Sequence, residues 1–303
     1  MDFIKENFSI KDLENLTGIK AHTIRIWEQR YNLLKPDRSD TNIRTYSGAE
    51  LMKLLNIHLL NSTGEKISKI AKLSESEIIE KLTQVTKIEH NFFDKQVNDL
   101  LLAMLNFDVS IFNTIYDNCR VKYSFHEVFI SVFIPLLEKI GVLWQTNSIQ
   151  SAHEYFISNL IREKVYSEID RIKAPKLGLI DKSCLYVVFL PLNEIHDLGS
   201  LFMYFKLLEH GKLVIYLGPN ISENSLSVLN ELDKGKTVYL IHGTTQPVPE
   251  KTDNFVERIK TILSKKDQVI FAGRKAEAMH SASDGDDRFV ALSNLEQLAQ
   301  YIN

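Results

Sequence analysis

At 303 residues, 44% of them hydrophobic, the chain is long enough for two or three domains and apolar enough to bury a core in each. Its 36 Lys and Arg against 39 Asp and Glu leave a net charge of −3, which excludes a protein that coats nucleic acid along its whole length but allows one basic domain. No apolar run approaches the ~20 residues of a membrane span, and the opening MDFIKENFSI lacks the charged-then-apolar layout of a secretory signal, so a cytoplasmic protein is expected. Cys119 and Cys184 lie too far apart for a metal-binding pair and read as separate buried thiols in a reducing compartment.

A first domain is expected over residues 1–76. Ser9 followed by Asp12 makes a capping box ahead of Ile10, Leu13 and Leu16, and Gly18 stops the short helix they begin. A second helix is expected over residues 20–31, with Ile24, Trp27 and Tyr31 on one side and His22, Thr23, Arg25, Gln29 and Arg30 spread over the other. Two short helices joined by a glycine-bearing turn make a helix-turn-helix unit. The polar stretch LLKPDRSDTNIRTYS, bracketed by Arg38, Arg44 and Tyr46, suits a two-stranded wing, and Ser47 with Glu50 is a further capping box. Taken alone, the polar helix face reads either as solvated surface or as a DNA-reading one, and Trp27 reads as packing.

The ordered set is more specific. Thr23-Ile24-Arg25-x-Trp27-Glu28-x-Arg30-Tyr31-x-Leu33, then Pro36-x-Arg38 and Arg44-x-Tyr46, resembles the winged-helix domain of MerR-type transcription regulators over nearly all of residues 7–75. The resemblance implies that the helix around Arg25 enters a major groove, that Arg44 and Tyr46 grip phosphates, and that a dimer reads a palindromic operator. His22, Thr23, Gln29, Arg30 and Arg38 complete the candidate DNA-facing set. With 12 Lys and Arg against 10 Asp and Glu in residues 1–75, one copy is expected to bind DNA weakly, so a homo-oligomer, dimer or tetramer, is expected on the operator. RNA polymerase is a further expected partner.

Residues 77–174 carry leucine, isoleucine and phenylalanine at three- and four-residue spacing with almost no glycine, which predicts a four-helix bundle. Ser124 with Glu127 caps the helix carrying VFISVFIPLLEKIGVLW, and Pro135 is expected to kink it. Trp144 falls at a helix end and Glu154 a turn into the next helix; a tryptophan at a bundle rim reads as core before it reads as a ligand platform.

Residues 175–303 alternate strand and helix. CLYVVFLP, LVIYLGP, TVYLIHG, QVIFAG and FVALS read as strands, and near-continuous apolar strands separated by helices indicate a doubly wound parallel sheet of the flavodoxin-like type. Ligands of such sheets bind beyond the carboxyl ends of the strands at the topological switch point, and His196 stands just after the first strand. By itself that imidazole reads as a helix cap or a locally hydrogen-bonded group.

Glu194-x-His196-x-x-Gly199 resembles the Asp/Glu-x-His-x-x-Gly signature of cobalamin-binding domains. The resemblance implies that His196 coordinates cobalt from below in place of the cofactor's own base, whose nucleotide tail inserts between the sheet and a helix. The residue types suit that chemistry: neutral imidazole is a good ligand for a borderline metal, Glu194 can fix its tautomer, and Gly199 lets a tail approach the backbone. Gly243 and Thr244 in IHGTTQ, and Gly273 in FAGRKA, fall where the family lines the tail with a small hydroxyl residue and a glycine pair, whereas His242 and Arg274 are bulkier and narrow that tunnel. Trp144, followed after nine residues by Glu154, resembles the Trp-x9-Glu-His motif of cobalamin-dependent MerR repressors that sense light. There the tryptophan shields the upper face of adenosylcobalamin and the glutamate contacts the upper ligand. Tyr155 stands where the motif has its histidine, Gln145 follows Trp144, and His153 lies one position off, about 100° round a helix. No imidazole is therefore expected to replace a lost upper ligand.

Three function classes follow: a cobalamin-responsive transcription regulator, a regulator of the same build whose sensor takes a protein partner or another ligand, and a corrinoid methyl-transfer module. The DNA-binding head, and the absence of a substrate domain in 303 residues, count against an enzyme.

Overall fold

The computed structural model describes residues 7–38, 42–85, 89–173, 180–231 and 235–302. The chain forms two compact units, Met1–Leu160 and Ile161–Asn303.

In the first unit, Ser9 and Asp12 make the expected reciprocal cap on α1 (Ile10–Thr17): Ser9 Oγ accepts the Asp12 N–H at 3.1 Å and Asp12 Oδ2 accepts the Ser9 N–H at 2.9 Å. Helix α2 (Ala21–Tyr31) follows, with Ile24 fully buried and Ile26 turned outward. The wing is a short antiparallel pair, β1 (Asp37–Arg38) and β2 (Arg44–Thr45). Ser47 caps α3 (Gly48–Ser62) by accepting the Glu50 N–H, but the Glu50 carboxylate takes the Lys35 N–H at 3.2 Å instead, so the second capping box is only half made. The short α4 (Ile67–Ile70) and α5 (Glu75–Val85) complete the head, with α5 packed on α3.

Four helical stretches follow: α6 (Glu89–Leu105), α7 (Val109–Lys122), a continuous run made of α8 (Phe125–Val128), a π-helical turn (Phe129–Phe133) and α9 (Ile134–Gln145), and α10 (Ser151–Lys173). The expected kink at Pro135 takes the form of that π turn. Proline has no N–H for the carbonyl one turn back, and its ring crowds that carbonyl, so the ladder widens directly before it. Phe112, Phe129 and Phe133 fill the centre, the Phe112 and Phe133 rings stacked at 6.2 Å. Asn15 of α1 donates to Ser148 Oγ at 2.8 Å, and α1 lies against α9.

The second unit places all five expected strands in one parallel sheet. In chain order it runs β3 (Asp181–Pro191), α11 (Leu198–Glu209), β4 (Lys212–Ile221), a 3-10 segment (Glu223–Glu231), β5 (Lys236–His242), α12 (Pro249–Ile262), β6 (Gln268–Ala272), α13 (Ala276–Ser281), β7 (Phe289–Ala291) and α14 (Ala299–Ile302). The strand order is β4-β3-β5-β6-β7, so the direction of winding reverses between β3 and β5. Side chains alternate across the sheet: Val187, Phe189, Tyr239, Ile241 and Phe271 join α12 and α13 on one face. Tyr186, Val188, Val238, Leu240 and Ile270 meet Met203 and Leu207 of α11 on the other. Among the described residues, no helix is long and apolar enough to cross a membrane.

Candidate functional site

On α2 the side chains of His22, Arg25, Gln29 and Arg30 are exposed, as is Arg38 on the wing, while Thr23 is half-buried with its hydroxyl 3.3 Å from His22 Nε2. Tyr46 lies differently from a surface grip, and Arg44, partly exposed, is tethered beside it. Both converge on Glu28 of α2: Arg44 Nε donates to Oε1 at 3.1 Å and Tyr46 OH to Oε2 at 3.0 Å. Tyr46 has no exposed surface, and its backbone bridges Phe8. Burial and the neighbouring Glu28 push its phenol above the ordinary range. A phenol enclosed in this way cannot reach a phosphate, so the expectation for Tyr46 is corrected: it locks the wing to α2. Glu28 is the residue that joins them.

Trp144, at the end of α9, is 54% exposed and so is not the core residue that its position at a bundle rim suggests. Glu154 is half-buried in the first turn of α10, and Tyr155 is exposed. His153 is buried. Its ring stacks on Phe107 at 4.7 Å and its Nδ1 accepts the Gln150 N–H at 3.2 Å, as the shift of one helical position implied.

In the second unit the chemistry gathers on the loops after β3 and β5, on either side of the switch point. Glu194 is completely buried, and its carboxylate is the hub. Oε1 accepts the N–H groups of Ile195 and His196, both at 3.0 Å, and Oε2 accepts those of Thr244, Thr245 and Gln246 at 2.8, 2.6 and 2.9 Å. The Thr245 hydroxyl adds a contact at 3.2 Å. Burial opposes the charged form, but the hydrogen bonds from His196, Gln246 and Thr245 outweigh it and hold the carboxyl well below the usual glutamate range.

The same carboxylate lies 2.5 Å from His196 Nδ1. An ionised acceptor there favours a proton on Nδ1, so that in the neutral ring the lone pair lies on Nε2, the tautomer a metal-ligating imidazole needs. His196 is 39% exposed and does not cap α11, whose N-cap, Asp197, is instead held by Arg162 through bonds of 2.7 and 3.2 Å. The helix-capping reading of His196 therefore fails, and the carboxylate-bound reading holds.

Behind this mouth the fit to a corrinoid tail is different. His242, the last residue of β5, lies on the α11 face of the sheet because it continues the alternation of Val238 and Leu240. A Cβ placed on Gly199 would meet His242 Nε2 at 2.3 Å, and one on Gly273 would meet it at 3.1 Å, so the two glycines cradle this ring. Burial pushes the imidazole down to about 4, leaving it neutral, and among the described residues its buried Nδ1 has no hydrogen-bond partner. Such an orphan costs about 1–3 kcal/mol. The residues present thus fit a metal on His196, while a side chain of the protein fills the glycine-lined slot beside it.

Two family models match the chain: the MerR HTH family regulatory protein over residues 8–77 and the B12 binding domain over residues 96–167. The chain is a MerR-type regulator carrying a B12-binding domain. Among relatives of this regulator, the HTH-type transcriptional repressor CarH of Myxococcus xanthus is 24% identical over 229 residues, covering 73% of this chain and 74% of its own. The repressor CarA of the same organism is 23% identical over 211 residues, covering 69% and 67%. The monomethylamine corrinoid protein of Methanosarcina barkeri superposes with a TM-score of 0.56 at 13% identity, over 69% of the regulator and 95% of that chain, which establishes the shared fold.

Of the expected site residues, the structure brings Glu194, His196 and Thr244 into direct hydrogen-bonded contact and sets Gly199 and Gly273 against His242. Gly243 binds backbone to backbone with Ala272 and Lys275. Thr245, Gln246 and the Arg162–Asp197 pair were missed. The run Gly243-Thr244-Thr245 carried a signal for the first two, since small hydroxyl residues after a parallel strand mark an anion-holding loop.

Proposed function

We propose that this regulator binds a corrinoid through His196 and that the bound state sets its affinity for DNA. The arrangement of Glu194 and His196 carries the reading: a buried carboxylate held against one ring nitrogen of a half-exposed imidazole, fixing its tautomer, is metal-site chemistry. Among the described residues no three His, Cys, Asp or Glu gather to hold a metal by themselves. A corrinoid brings its own tightly held cobalt, so the single imidazole of His196 would suffice to hold it. The adenosyl form is the proposed ligand, on the strength of the Trp144 and Glu154 pattern. The likeness to a methylamine corrinoid protein speaks for the fold, and the winged head speaks for regulation over catalysis.

On DNA, the exposed α2 residues His22, Arg25, Gln29 and Arg30, with Thr23, form the proposed reading surface, and Arg38 and Arg44 serve the backbone. A homodimer or tetramer on a palindromic operator, acting on RNA polymerase access, completes the proposal. The ligand can move DNA affinity only by as much as it prefers one assembly over another. Gel shifts with apo and adenosylcobalamin-loaded protein in the dark test this. A change of about tenfold or more in operator affinity is expected, corresponding to ~1.4 kcal/mol of coupling, and identical affinities would sink the reading.

Replacing Arg25 with alanine is expected to weaken operator binding by about 1–3 kcal/mol, and Arg44→Ala to lower the salt slope by about one. Unchanged affinity in both variants would remove α2 and the wing from the interface. Light supplies a further expectation. Because His153 is buried against Phe107, illuminated wild-type and His153→Ala proteins, both loaded with adenosylcobalamin, should give the same absorption spectrum. A difference between them would place His153 on the cobalt.

A further inference from the structure

We propose that His242 sets the regulator's preference among corrinoids: its ring occupies the slot between Gly199 and Gly273, so that corrinoids with a short lower substituent bind more tightly than those that carry a lower aromatic base. This rests on the reading of His196 as the cobalt ligand.

The slot is narrow by construction. Even one added carbon on Gly199 would overlap His242 Nε2, so the space between α11 and the sheet here is one flat ring wide, and the imidazole takes it. The ring cannot leave by a shift of its backbone. His242 is paired in register with Ala272 on β6 and its neighbour Ile241 with Phe271 on β6 and Phe189 on β3, so only side-chain rotation remains. Among the described residues the imidazole's own Nδ1 is unpartnered, so that nitrogen satisfies no buried polar group. What it provides is volume. A benzimidazole nucleotide that had left its cobalt to make room for His196 would have to lodge its base beyond the carboxyl ends of β5 and β6, where Gly199 and Gly273 leave backbone bare, and that is the space His242 fills. A corrinoid lacking the base has no such demand and can still present cobalt to His196.

The test compares cobinamide, which lacks the nucleotide, with hydroxocobalamin, which carries it, by visible titration and by retention through gel filtration. The wild type is expected to hold cobinamide at least about tenfold more tightly. His242→Ser should raise cobalamin affinity by about tenfold or more and leave cobinamide within about twofold. His242→Asn, which keeps a polar side chain, should fall between. Wild-type binding of both corrinoids within about threefold overturns the proposal and needs no variant. An unchanged ratio in a folded His242→Ser or His242→Asn does the same. Failure of both corrinoids to bind any of these proteins overturns the corrinoid reading itself, an outcome distinct from equal binding.

Discussion

Replacing Glu194 with alanine should destabilise the C-terminal unit by about 3–5 kcal/mol, the range for stripping a buried charge from its partners. The physical reason is the number of donors it would orphan. Five backbone N–H groups, from two loops on neighbouring strands, have this one carboxylate as acceptor, and each unsatisfied buried donor carries a penalty of about 1–3 kcal/mol before relaxation. Thermal or urea unfolding checks the expectation, and a melting curve like that of the wild type would refute the hub role. A pH dependence follows from the same site. The native carboxyl titrates below its unfolded counterpart, so its contribution is complete above the ordinary glutamate pKa of about 4.3 and drains away as pH falls towards the depressed native value. In Glu194→Ala, that portion of the acid sensitivity should be missing.

Replacing His196 with alanine should produce the opposite split. Loss of the metal-binding imidazole is expected to cost more than the ~10–100-fold that changes around a ligand typically cost, so corrinoid should no longer survive gel filtration. Apo stability should barely move, because the ring is more than a third exposed and Glu194 keeps its backbone donors. A clear loss of apo stability with corrinoid binding intact would make His196 structural after all. Measured together, the two variants separate the residue that holds the loops from the residue that meets the ligand.

Much of this could be read in the sequence, for identifiable reasons. Caps are local, so Ser9 with Asp12 and Ser124 with Glu127 were legible and both form. The five strands were legible because a parallel sheet buried on both faces leaves apolar runs. The Glu50 carboxylate went elsewhere because Lys35, distant in sequence, offered a competing N–H. Tyr46 was misplaced for a similar reason: a tyrosine among arginines in a polar stretch looks like surface until Phe8 and Glu28 close over it. Arg162 and Asp197 are separated by 35 positions and carry no shared pattern. The face on which His242 stands was open to inference from the period of two along β5, but its contact with two glycines from other elements was not.

The widened turn at 129–133 acts on the helix as a single extra residue threaded into an otherwise regular coil. Every position after it is therefore rotated by about 100° relative to an uninterrupted helix. Deleting one residue from the turn would give a smoother rod but swing Trp144 to a different azimuth, away from the orientation that leaves its indole half in water. The bearing of that indole is thus set about two and a half to four turns upstream, by a proline and the loosened coil before it.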